Sequence, residues 1–227
     1  RSLVQFTSKL SVSPVSVTAA ESLSFLMILS VYLTGFAVAF FACFDEMPTT
    51  RRRYYFALVL GVVAAMSGAA ASQDLLALFV FTETVALISC LLASLDDNAR
   101  GIASSLETYA LSLAGTACAA AGTALAAYCA GGTSFEHLAA VGSGRLAMQA
   151  AAALVLCGYA VKAGALPFHA NLPELYSTAR GSRCAMLACA GIRTAGIYAV
   201  LKVMITFPAL VYAPAARITM LFGLFSL

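Results

Sequence analysis

Charge is what this chain has least of. Only 10% of its 227 residues are Asp, Glu, Lys or Arg, where a soluble domain carries roughly 25%. A water-facing surface cannot be covered from so small a supply. With 62% hydrophobic residues and a mean hydropathy of +0.92, lipid must be the solvent for much of the chain. The formal charge of +3 is too small to suggest nucleic-acid binding. Histidine is scarce, with two residues. Seven cysteines, an odd number, cannot all pair internally. Cys90, Cys118, Cys129, Cys157, Cys184 and Cys189 stand in apolar runs without paired metal-ligand spacing. They read as buried free thiols acting as small hydrophobes, so no metal site is expected.

What is present is long apolar runs. A membrane helix needs about 20 such residues. The candidates are Leu23–Phe44, Tyr54–Ser72, Leu75–Leu95, Ser105–Ala130, Leu146–Leu166 and Cys184–Thr206, with the start of a seventh from Ile218 to Leu227. The fold class expected is an all-α, polytopic transmembrane bundle of about six spanning helices over residues 22–227, in the lipid bilayer. Residues 1–21 read as a polar tail. They hold Arg, Lys and several Ser, with no acid before Glu21, which suits either an ordinary tail or the remainder of an organellar transit sequence.

The connections place Arg51, Arg52, Arg53, Arg100, Arg180 and Arg183 on one side of the zigzag. Arg145, Lys202, Arg217, Arg1 and Lys9 fall on the other. The positive-inside rule puts the triple-arginine side in the cytoplasm or matrix. Dense small residues, as in SLAGTACAAAGTALAA and GVVAAMSGAAAS, allow the close backbone approach that packing in lipid requires.

Three ionisable residues interrupt the apolar segments: Glu83, Lys162 and Arg193. Each costs about 2.5–3.5 kcal/mol to insert at a helix centre, so such groups face the bundle interior, pair, or mark an ion path. A static pair that fixes helix register is the bland alternative; three charges on three helices favour a path. A Glu–Lys pair at such depth is a plausible switch, broken by protonating one partner or deprotonating the other. Lys162 stands beside a helix breaker, VKAGALPFHANLPELY, with Gly164, Pro167 and Pro173. Broken backbone in a membrane needs a protein or wet lining. His169 follows and can titrate near neutrality. Arg193 keeps its charge and can only set the local potential. His137 reads as a surface residue, and Glu107 as a carboxylate near a helix start, suited to the dipole there.

Lys162, four residues, Pro167-Phe168-His169, three residues, then Pro173-Glu174-Leu175-Tyr176 resembles the antiporter-like membrane subunits of proton-pumping NADH:quinone oxidoreductase (respiratory complex I), relatives of Mrp-type antiporters. Within them the pattern is most similar to NADH dehydrogenase subunit 2. QDLLALFVFTETVALISCLLA resembles the glutamate-bearing helix, GIRTAGIYAVLK the next lysine-bearing helix with Arg193 in the lysine's place, and ITMLFGLF the start of the one after. The resemblance implies proton translocation driven by electron transfer in other subunits, without a redox cofactor here. It assigns the proton route to Glu83, Lys162, His169 and Arg193. Departures are Asn171 where a tryptophan is usual, the absence of any Trp, a missing proline near Arg180, and Arg193 itself. The family fold has two inverted halves, each with a broken helix, and this chain resembles the first. The partners implied are other membrane-arm subunits and a separate chain bearing the second half. The location implied is the mitochondrial inner membrane, with a bacterial plasma membrane or thylakoid as alternatives. A structural subunit that has lost conduction and a free-standing cation/proton antiporter are the competing functions.

Overall fold

The computed structural model describes residues 14–44, 49–96, 99–141, 146–165, 168, 172–179 and 181–206. Nine α-helices are found among them: α1 (Pro14–Cys43), α2 (Thr49–Ala71), α3 (Leu75–Ala93), α4 (Ala99–Ala130), α5 (Phe135–Val141), α6 (Leu146–Lys162), α7 (Leu172–Thr178), α8 (Ser182–Ala190) and α9 (Ile192–Thr206). A single 3-10 turn, Ser94–Asp96, follows α3. Helix α1 already begins at Pro14, inside the stretch read as a tail; proline suits a first turn, where its missing N–H has no partner to lose.

Five stretches are long and apolar enough to cross a membrane: Ala20–Cys43, Arg51–Ala71, Leu75–Ala93, Ala99–Ala130 and Ser182–Ile205. The sixth expected crossing is the interrupted one. Helix α6 spans only 17 residues, about 25 Å at 1.5 Å per residue, and α7 resumes beyond the break. The expected seventh helix lies outside the described residues. The chain is therefore an all-α, multi-pass membrane bundle.

The helices are apolar on their outer faces as well as inside, as lipid permits. Along α1 and just past its end, Phe36, Phe40 and Phe44 form an exposed stripe with ring centroids 6.5 and 5.2 Å apart, while Val31, Val38 and Ala42 are buried. Cys157 and Cys189 are likewise exposed. This corrects the expectation that these thiols are buried: lipid accepts a small apolar side chain as readily as a core does.

Contacts at the two ends confirm the zigzag. The ion pair Arg100–Glu174 (2.9 Å) joins the start of α4 to α7, and Arg52 donates to the carbonyl of Cys43 at 2.6 Å. These lie at the arginine-rich end. At the other end, the α2–α3 connection pairs with the α4–α5 connection: Leu75 N donates to Thr133 O (3.0 Å) and Phe135 N to Gln73 O (3.1 Å). Glu107 is a correction. Helix α4 starts at Ala99, so Glu107 lies in its third turn and is exposed, too far along to feel the terminal dipole.

The core is split along the membrane normal. Tyr55, Val59, Met66, Val85, Leu92, Leu175 and Met186 belong to one apolar cluster on the arginine-rich side. Leu75, Leu78, Val155, Leu156, Tyr159, Tyr198 and Val203 belong to a second on the opposite side. Glu83 falls between Leu78 and Val85 on α3, and Lys162 follows Tyr159 on α6, so both stand where one cluster gives way to the other.

Candidate functional site

Three local features put Lys162 at that level. Helix α6 ends in a glycine cap: Gly164 has φ +73°, Ala165 N donates to Ala160 O (3.0 Å) and Gly164 N to Val161 O (3.0 Å). This doubled bond is the Schellman arrangement, open to glycine because it lacks a Cβ. Lys162 therefore occupies the last turn of a helix that stops mid-membrane, where the exposed carbonyl end favours a cation. Next, α4 and α6 make the most extensive helix contact in the bundle. A Cβ on Gly158 would come within 2.5 Å of Gly115 O, and one on Gly115 within 2.7 Å of Gly158 O. This backbone-to-backbone approach carries Lys162, one turn on, against the polar face of α4. Last, Gly196 of α9 lies against Lys162 and Ala163 so closely that a Cβ would stand 2.5 Å from Ala163 N.

The structure brings Glu83 and Lys162 together. Lys162 Nζ lies 2.7 Å from Glu83 Oε1, with the lysine side chain 1% and the glutamate 18% exposed. Thr116 Oγ1 donates to Glu83 Oε2 at 2.9 Å and shares its proton with Ser112 O at 3.1 Å. Three helices thus meet in one contact: the carboxylate from α3, the ammonium from α6 and the hydroxyl from α4. Such a pair can hold, release and re-form, because either partner can change its charge.

Of the other two expected residues, only Arg193 falls among the described ones, and it does not join the pair. Arg193 is exposed on α9, and His169 lies outside the described residues. Two sites were missed. Thr116 belongs to a stripe of Ser104, Thr108, Ser112 and Thr116 along α4, a four-residue spacing legible in the sequence. Lys202, counted from the sequence among the charges on the side opposite the triple arginine, lies inside α9 and is 5% exposed. It lies nine residues, or about 900°, beyond Arg193 and so on the opposite face. Its ammonium donates to the carbonyls of Ala69 (3.3 Å), Ala70 (2.9 Å) and Ser72, and the rings of Tyr198 and Phe135 lie 5.4 and 5.8 Å away. His137 is exposed, with Nδ1 2.7 Å from Ser134 Oγ. No group of three or more His, Cys, Asp or Glu able to hold a metal is found among the described residues.

A multi-pass bundle with a broken helix and a buried ion pair at the break places the chain among antiporter-like membrane proteins. Residues 72–227 match the family described as NADH:quinone oxidoreductase/Mrp antiporter, transmembrane; the chain belongs to that family. NADH-quinone oxidoreductase subunit N of Chlorobium chlorochromatii (strain CaD3) is 32% identical over 127 residues, 54% of this chain and 25% of that protein. Among solved structures, a chain of the archaeal membrane-bound sulfane sulfur reductase superposes with a TM-score of 0.76 at 25% identity, covering 87% of this chain and 40% of that one. A chain of respiratory complex I from Thermus thermophilus gives 0.63 at 21% identity over 78% of this chain and 39% of that one, a likeness of fold alone. The chain spans a quarter to two fifths of the length of these proteins.

Proposed function

We propose that this chain is a proton-translocating membrane-arm component of NADH:quinone oxidoreductase, in which the Glu83–Lys162 pair opens and closes as protons pass. The observation that carries the reading is the 2.7 Å contact between a carboxylate and an ammonium at a glycine-capped helix break between two apolar clusters. Protonating Glu83 removes the attraction that holds Lys162. The freed ammonium then swings toward the polar face of α4 and can yield its proton to water there. Restoring the carboxylate draws the lysine back. Among apolar neighbours each state is worth several kcal/mol to its partner, enough to couple the pair to events elsewhere in an assembly. Family membership and the multi-subunit membrane complexes among its structural neighbours support membrane-arm partners. A chain supplying the second half of the fold is one of the partners proposed, and the acid-poor leading stretch supports the mitochondrial inner membrane.

Lys162→Met in the assembled complex tests the proton reading. Native gels report assembly, NADH oxidation reports electron transfer, and fluorescence quenching in sealed vesicles reports pumping. Loss of pumping with assembly intact supports conduction through this chain. Unchanged pumping overturns it in favour of a structural subunit. One observation favours that second reading: Arg193, at the family's lysine position, is exposed rather than lined up with Lys162.

A further inference from the structure

Two small cavities flank Ile192, the first residue of α9. One, of about 20 Å³, is lined by Lys162, Ser112, Thr108, Gly164, Phe168 and Ile192. The other, of about 10 Å³, is lined by Ser89, Ser105, Thr108, Tyr109 and Ile192. Each has room for about one water molecule. Ser112 Oγ in the first and Ser89 Oγ in the second are buried without a hydrogen-bond partner among the described residues, and both residues are under 5% exposed. A buried hydroxyl without a partner costs about 1–3 kcal/mol, which water in these cavities would recover. Beyond the second cavity the polar line continues. Thr108 donates to Ser104 O (2.8 Å), Ser104 Oγ lies 3.2 Å from Thr178 Oγ1, and Thr178 donates to Glu174 O (3.0 Å). Glu174 reaches the surface with Arg100. Hydroxyls thus run from Lys162 to the arginine-rich end, and the one aliphatic side chain shared by both cavities is Ile192.

The backbone beneath Ile192 is interrupted. Helices α8 and α9 are separated by Gly191, whose φ and ψ are −80° and −167°. Gly191 N donates to Leu187 O and its own carbonyl accepts from Ala195 N, both at 3.1 Å, so one residue ends one helix and starts the next. A Cβ at Gly191 would stand 2.3 Å from Leu187 O. A hinge lies directly before the side chain between the cavities.

We infer that Ile192 is an apolar gate on the water path between Lys162 and the arginine-rich face, excluding water while the α8–α9 hinge holds it between the two cavities. Apolar constrictions gate by dewetting: a single water between sec-butyl and threonyl walls has too few partners to stay, whereas moving the side chain joins the cavities. The gate rests on the proton-route reading above and adds to it a named control point.

The test uses the assembled complex in sealed vesicles, with Ile192→Ala, Ile192→Phe, Ile192→Val and Lys162→Met measured side by side. Passive proton leak without NADH and protons pumped per NADH oxidised are recorded for equal amounts of assembled complex. Ile192→Ala is expected to raise leak roughly tenfold, since the methylenes that dewet the constriction are gone, and to lower pumping per NADH. Ile192→Phe is expected to lower pumping without raising leak. Ile192→Val, short by one methyl, assembles in any event and shows the alanine effect at smaller size. Alanine, phenylalanine and valine variants that leak and pump like the parent, while Lys162→Met abolishes pumping, would overturn the gate and leave the route standing. Normal pumping by Lys162→Met would instead remove the route, and the gate with it.

Discussion

Two buried lysines, one at the end of α6 and one inside α9, are held in different ways. Lys162 faces a carboxylate and a hydroxyl-lined face of α4; Lys202 faces the backbone carbonyls of Ala69, Ala70 and Ser72 and two aromatic rings. A carboxylate can be neutralised by a proton, so the hold on Lys162 is switchable. Amide carbonyls cannot take up a proton near neutral pH, so the oxygens that hold Lys202 offer no switch of their own. Lys202 closes the C-terminal end of α2, whose last carbonyls lack partners within the helix, and ties it to α9. Burial alone does not separate a transport group from a structural one; the chemistry of the oxygens around the amine does.

The largest effect should come from leaving one charge of the switchable pair alone. Glu83→Ala keeps the Lys162 ammonium buried without its carboxylate, a change that costs about 3–5 kcal/mol in buried pairs. Assembled complex should fall sharply on native gels. The double variant Glu83→Gln/Lys162→Gln should restore assembly while leaving pumping lost. If the single variant assembles as well as the double, the two side chains do not depend on each other and the contact is incidental.

Next comes Lys202. Lys202→Met takes the ammonium from Ser72 O, while Ala70 O keeps Tyr198 and Ala69 O keeps Ser72 Oγ as donors; at about 1–3 kcal/mol for a buried carbonyl left without a partner, the detergent-solubilised assembly should melt earlier. Lys202→Arg keeps a cation and its donors and should recover both melting temperature and pumping. The same Lys→Arg exchange at position 162 should recover assembly but not pumping, because guanidinium does not release its proton. A Lys202→Arg variant that assembles but fails to pump would erase the difference between the two lysines. The packing beneath Lys162 is the next test. Gly158→Ala places a methyl against Gly115 O, at an overpacking cost of about 1–3 kcal/mol, and should reduce assembly and pumping together.

The sequence made some of this legible and hid the rest for physical reasons. Glu83 and Lys162 stand out because a charge in an apolar run has few ways to exist. The break after Lys162 was readable from Gly164 and its following prolines, although it is the glycine cap that closes α6. Lys202 was counted only among the charges around the last turn, near the end of an expected helix; only the fold reveals the carbonyls of α2 across from it. Arg193 was expected to face the bundle interior because it interrupts an apolar run, but its helix turns it outward. The second interruption, at Gly191, gave no signal at all, since a lone glycine in a helix-forming run is usually absorbed by the helix. Thr116 lay in plain view in a four-residue stripe, yet small hydroxyl residues in membrane helices serve packing as readily as chemistry.

The smallest effect belongs to a pair that looks equally good by distance. Arg100 and Glu174 approach to 2.9 Å, but their side chains are 75% and 46% exposed. In water such a contact is worth under about 1 kcal/mol and weakens further with salt. Arg100→Ala should therefore leave assembly unchanged in gels run at moderate ionic strength. Its position at the outer end of the hydroxyl line gives a sharper readout. If that line carries protons inward, removing the cation should alter pumping at low salt and have little effect at high salt, where screening already hides the charge. An effect of equal size at both salt concentrations would mean that Arg100 acts through shape, holding α7 against α4, and would move this pair from the electrostatic side of the comparison to the structural side with Lys202.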